Sequence, residues 1–150
     1  MRMVPKLNLA DFTHGDQLSQ QAFVRALGEA YEEIGFVAIK NHGIPKEDLT
    51  KLYRAVKQFF SLPEDLKLTY DDTAGGGQRG YTGFGKEHAK DRNAGDLKEF
   101  WHFGQFVDPA DPDPPQYPEN KEVKESEEFN IYGKKIYQHL EKTGGIMLHA

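Results

Sequence analysis

The sequence predicts an α+β chain, and three observations carry that prediction. Apolar residues recur at spacings of three and four over three long stretches, which is helical periodicity. Short runs rich in β-branched and aromatic residues lie beside these stretches and read as strands. A glycine-dense tract with almost no aliphatic residues follows the second helical stretch and reads as a long loop.

Taken in order, Val4 to Phe12 alternates loosely and predicts a short first strand, closed by a turn at Thr13-His14-Gly15. Phe23, Leu27, Ala30, Tyr31 and Ile34 then form one apolar stripe, predicting a helix over about 17–33 with Asp16 as its N-cap. Gly35 can end that helix, and Gly35 to Lys40 predicts a buried strand stopped by the turn chemistry of Asn41-His42-Gly43. After Pro45, the positions Leu49, Leu52, Tyr53, Val56, Phe59 and Phe60 predict a second long helix, which Ser61-Leu62-Pro63 breaks before a short helical turn at 64–67.

The loop from Asp71 to Gly95 holds one extended piece at Tyr81 to Phe84. Leu97 to Val107 predicts a strand with Glu99, Trp101 and Phe103 on one face and Lys98, Phe100 and His102 on the other. Asp108 to Pro118 carries five prolines and joins neither sheet nor helix. A third helix is expected from Asn120, its stripe carried by Phe129, Tyr132, Ile136, Leu140 and Met147, with Gly144-Gly145 as a local weakness. The stripe is still running at Ala150, with no capping residue, and the end reads as a cut.

Composition narrows the function classes. At 150 residues the prior is one domain, burying roughly two-thirds of the surface of its unfolded form. Ten Phe, seven Tyr and one Trp supply large buried units to an otherwise modest apolar share of 37%. A formal charge of −5, with both signs interleaved, leaves no basic field and excludes a nucleic-acid footprint. Without cysteine there is no disulfide partner, thiolate zinc site or thiol nucleophile, so a metal would need His, Asp or Glu. The first ten residues are no signal peptide and no run is long and apolar enough to span a bilayer, so the expected location is cytoplasmic, with no membrane partner.

Among candidate motifs, His14-Gly15-Asp16 spells the H-x-D of a two-His, one-carboxylate iron site, but a turn followed by an N-cap accounts for it better. Gly75 to Gly80 invites a phosphate-loop reading, yet it lacks the Gly-Lys-Ser/Thr ending and a flanking strand and helix. The six histidines, at 14, 42, 88, 102, 139 and 149, form no H-x-x-x-H pair; His42 reads as a turn residue and His102 as a strand residue.

Three segments carry a more specific signal: Glu33-Ile-Gly-Phe-Val-Ala-Ile-Lys-Asn-His-Gly-Ile-Pro45, Phe59-Phe-Ser-Leu-Pro63, and Arg79-Gly-Tyr81 followed by Asp96-Leu-Lys-Glu-Phe100. In this order and spacing, covering essentially the whole chain, they resemble the N-terminal region of the isopenicillin N synthase-like family of 2-oxoglutarate/Fe(II)-dependent dioxygenases. The resemblance implies helices and strands that flank a double-stranded β-helix (jelly-roll) barrel, the barrel itself mostly absent from this chain. It also implies a non-haem oxidoreductase acting on a small-molecule substrate, with Fe(II) and 2-oxoglutarate as cofactors.

That family holds iron with H-x-D and a distant His, and 2-oxoglutarate with Arg-x-Ser. No Arg here precedes Ser by two positions, and the H-x-D lies near the start of the chain. The chain alone is therefore expected to bind neither cofactor and to be inactive, with no catalytic or metal-ligating residue of its own. Arg79 and Tyr81 are the residues the resemblance assigns to substrate contact. Two alternatives stay open: a stand-alone non-catalytic module binding a small acid or a partner through the Arg79 loop, and a truncated fragment.

Overall fold

The computed structural model describes residues 3–72, 76–86, 95, 97–108, 110 and 117–150. The expectations for Gly75, His88, Asp96 and most of the proline-rich stretch lie outside these residues. The chain divides into two compact units, Met1–Pro45 with His139–Ala150, and Lys46–Gln138.

In the first unit, β1 (Lys6–Asn8) pairs in parallel with β2 (Ala38–Lys40), Leu7 opposite Ile39. Between them run α1 (Leu9–Thr13) and α2 (Gln17–Glu33). The strand expected over Val4 to Phe12 is thus cut short. The Asn8 side chain accepts from the Ala10 amide at 3.3 Å and caps a helical turn, and that turn brings Leu9 and Phe12 into one cluster with Phe23 and Leu27.

α2 has the expected bounds because both of its ends carry local signals. Asp16 accepts from the Ser19 amide at 2.8 Å, and Gly35, at φ +78°, returns its N–H to the Ala30 carbonyl at 3.1 Å. The following strand keeps only 38–40, and Phe36 is 70% exposed where a buried residue was expected. Gly35 is spent closing the helix, and β1 offers only three residues to pair with. His42 is a turn residue as read, its Nδ1 accepting from the Ile44 amide at 3.1 Å.

The second unit holds α3 (Lys46–Phe60), α4 (Glu64–Leu68), β3 (Gly80–Thr82) and β4 (Phe100–His102), the two strands antiparallel with Tyr81 opposite Trp101. Phe59 is its hub: the rings of Trp101, Phe129, Tyr70 and Tyr81 lie 5.0, 5.2, 5.9 and 6.0 Å from it, mostly edge to face. The long strand expected over 97–107 is three residues, because its partner is three residues.

α5 (Glu127–Leu148) starts later than expected. Asn120 turns its side chain to Gly104 and Gln105, and Ser126 Oγ accepts the Phe129 amide at 3.2 Å as the cap. Phe129 and Ile136 of its stripe are buried, whereas Leu140 is 57% exposed. Among the described residues the architecture is α+β with two two-stranded sheets and no closed barrel. None of its helices is long and apolar enough to cross a membrane.

Candidate functional site

The site is assembled around β3. Tyr81 lies on the β3 face that packs on Phe59 and is 1% exposed, and its hydroxyl donates to Glu99 Oε2 at 2.7 Å. The same oxygen receives Lys67 Nζ from α4 at 2.6 Å, and that ammonium also donates to the Phe60 carbonyl at 3.3 Å and sits 5.5 Å from the Tyr81 ring centroid. Three elements are tied through one carboxylate.

Burial alone would raise the Glu99 carboxyl, but the hydrogen bonds from Lys67 and Tyr81 and the Lys67 charge outweigh it and hold the group below the ordinary range. Burial, and then the hydrogen bond to Glu99, push the Tyr81 phenol far above its ordinary value.

Arg79 is 8% exposed. Its Nε donates to the Pro118 carbonyl at 3.1 Å and Nη1 to the Gln78 carbonyl at 2.8 Å. The guanidinium lies against Gly104, where any Cβ would overlap it. Gly104 is also held by Asn120, whose Oδ1 accepts the Gly104 amide at 2.7 Å while Nδ2 donates to the Gly104 and Gln105 carbonyls at 3.0 and 3.2 Å. Among the described residues no carboxylate forms an ion pair with Arg79, and Nη2 makes no hydrogen bond.

The two residues expected to touch substrate are therefore near neighbours, buried and differently engaged: the Tyr81 hydroxyl is committed to Glu99, whereas Arg79 Nη2 has no hydrogen-bond partner among the described residues. Residue-level reading missed Lys67, Glu99, Gly104 and Asn120. Glu99 had a legible signal, since it alternates onto the same strand face as Trp101; Lys67 had none.

His14 and Asp16 do not fit an iron centre. Asp16 is the α2 cap, and His14 Nδ1 lies 2.7 Å from Thr13 Oγ1. No group of three or more His, Asp or Glu able to hold a metal ion occurs among the described residues. His102 Nδ1 donates to the Gly77 carbonyl at 3.1 Å, and the Gly77 amide is spent on the Asp72 carbonyl at 2.9 Å, so it offers nothing to a phosphate.

The family model described as non-haem dioxygenase in morphine synthesis, N-terminal, matches residues 4–126. The chain belongs to this family, the N-terminal region of the 2-oxoglutarate/Fe(II) dioxygenases. A 2-oxoglutarate-Fe(II) type oxidoreductase of Metarhizium rileyi, ppzD, is 35% identical over 119 residues, 71% of this chain and 34% of that protein. The 2-oxoglutarate-dependent dioxygenase imqE of Aspergillus flavus is 33% identical over 104 residues, 64% of this chain and 29% of that protein.

A crystal structure of a protein assigned to the 2OG-Fe(II) oxygenase family, from Caulobacter crescentus, superposes with a TM-score of 0.80 at 28% identity, covering 99% of this chain and 47% of that one. A full-length Neurospora crassa protein, solved in complex with alpha-KG, superposes with a TM-score of 0.74 at 19% identity over 96% of this chain and 44% of its own, a likeness of fold. The chain thus spans about a third of these curated relatives and just under half of these solved structures.

Proposed function

We propose that this chain is the N-terminal part of a 2-oxoglutarate- and Fe(II)-dependent oxygenase that oxidises a small, carboxylate-bearing organic molecule, with Arg79 docking the carboxylate. The observation that carries the reading is the buried Arg79 guanidinium, without a carboxylate partner among the described residues and with Nη2 uncommitted. A buried charge is costly until a counter-charge reaches it, and a carboxylate can take two parallel N–H bonds from one guanidinium. Tyr81, its ring packed on Phe59, holds β3, the strand that follows Arg79, in place; a hydrogen bond from it to substrate would require leaving Glu99.

In this reading the iron ligands and the 2-oxoglutarate site belong to a double-stranded β-helix barrel and not to these 150 residues, whose described donor set does not fit iron. The stand-alone alternative, a non-catalytic module binding a small acid, uses the same guanidinium and differs in lacking turnover.

The test is kinetic. In an oxygenase that carries this loop, Arg79→Lys keeps the charge and loses the planar fork, so KM for a carboxylate substrate should rise roughly tenfold while kcat stays within about twofold. Unchanged kinetics for both Arg79→Lys and Tyr81→Phe would leave the pair as scaffolding. Saturable carboxylate binding without turnover would support the module.

A further inference from the structure

A groove of about 550 Å³ lies in the second unit between the run leaving β4, the segment 117–122 and the first turns of α5, within the size range of small-ligand sites. Its walls are fixed from behind. Asn120 clamps Gly104 and Gln105 as described, and Asn130 bonds both the amide and the carbonyl of Val123, at 2.8 and 2.9 Å. Phe103 seats its ring against Gly133, where a Cβ would overlap it.

Phe103, Gln105, Phe106 and Val107 are among the partly buried residues that line the groove. Its charges sit mostly at the rim: Asp108, Glu119, Glu122 and Lys134 are exposed and carry both signs, with Lys134 Nζ 5.4 Å from the Phe106 ring centroid. Lys121, partly buried, is committed to the Asp71 carbonyl at 3.0 Å and to Asp72 Oδ1 at 3.4 Å. The rim carries both signs, and the choice of an uncharged ligand rests on the interior. There the side-chain amide of Gln105 makes no hydrogen bond to another described residue, which leaves one donor and acceptor edge beside aromatic walls.

We propose that this groove binds an uncharged small molecule with a flat apolar body and an amide edge, the body against Phe103 and Phe106 and the edge on the Gln105 amide. Arg79 is not part of the lining, although its Nε bonds the carbonyl of the lining residue Pro118, so the groove is tested through Gln105 and not through Arg79.

The experiment titrates the ¹⁵N-labelled 150-residue chain with benzamide, benzoate and benzylamine, which share a ring and differ in charge. Benzamide should give saturable shifts of the Gln105 side-chain NH₂ pair and of the amides of Phe106 and Val107. Gln105→Leu should weaken benzamide roughly fivefold, the worth of about one net hydrogen bond, and bring the three probes to similar affinity. Lys124→Ala, exposed and outside the lining, should leave benzamide binding within about twofold. A preference for benzoate or benzylamine, a benzamide preference that survives in Gln105→Leu, or no saturable shift at these positions would overturn the proposal.

Discussion

The Tyr81 hydroxyl donates to Glu99 Oε2 at 2.7 Å, across 18 residues of sequence. This bond joins β3 to the run that enters β4, and Lys67 completes it from α4 with side-chain exposures of only 8% for Lys67 and 17% for Glu99.

Removing one member of such a group costs more than the group contributes, because the others are stranded. Glu99→Ala should destabilise the chain by about 3–5 kcal/mol, leaving the Lys67 ammonium buried without a counter-charge. Tyr81→Phe, which leaves the ion pair intact, should cost about 1–2 kcal/mol. Urea unfolding of both variants checks the order. Equal effects would mean that Lys67 finds solvent when Glu99 is lost.

The same group sets two edges of a pH profile. The Glu99 carboxyl is depressed below its ordinary 4.5 in the folded chain. The unfolded chain therefore takes up the proton first, and this stabilisation, present above that value, is lost as pH falls below it. The Tyr81 phenol is raised above its ordinary 10.0, so its contribution is intact below that value and declines as pH rises beyond it. Glu99→Gln should flatten part of the acid limb of a stability profile, and Tyr81→Phe part of the alkaline limb. Limbs identical to the parent's would remove both assignments.

Two glycine substitutions should act in opposite directions. A Cβ at position 104 overlaps the Arg79 guanidinium, so Gly104→Ala should cost about 1–3 kcal/mol by overpacking and expel Arg79 from its seat. Gly144, inside α5, has nothing within 4 Å of an added Cβ, and Gly144→Ala should stabilise by about 1 kcal/mol through helix propensity. Thermal unfolding distinguishes them. A neutral Gly104→Ala would show that Arg79 is free to move.

Anaerobic Fe(II) titration of the 150-residue chain should give no stoichiometric complex, and 2-oxoglutarate should release no succinate. Asp16 is engaged as a helix cap, and His14 lies beside Thr13. A 1:1 iron complex abolished by His14→Ala and Asp16→Ala would reverse this.

By itself the sequence determined α2 and α3, and the family. Both helices carry their apolar stripe in consecutive turns, and α2 also carries a local stop at each end, Asp16 and Gly35, so no distant residue is needed to define them. The extents of β2 and β4 and the start of α5 depended on the tertiary structure. A strand is only as long as the partner it finds, and Asn120 left the helix for Gly104, 16 residues away. The site divides the same way. Arg79 and Tyr81 belong to a legible motif, but their states are set by Pro118, Gly104, Glu99 and Lys67. Those partners lie far along the chain, up to 39 positions away in the case of Pro118, and neither periodicity nor spacing encodes a contact made only when distant segments close on one carboxylate.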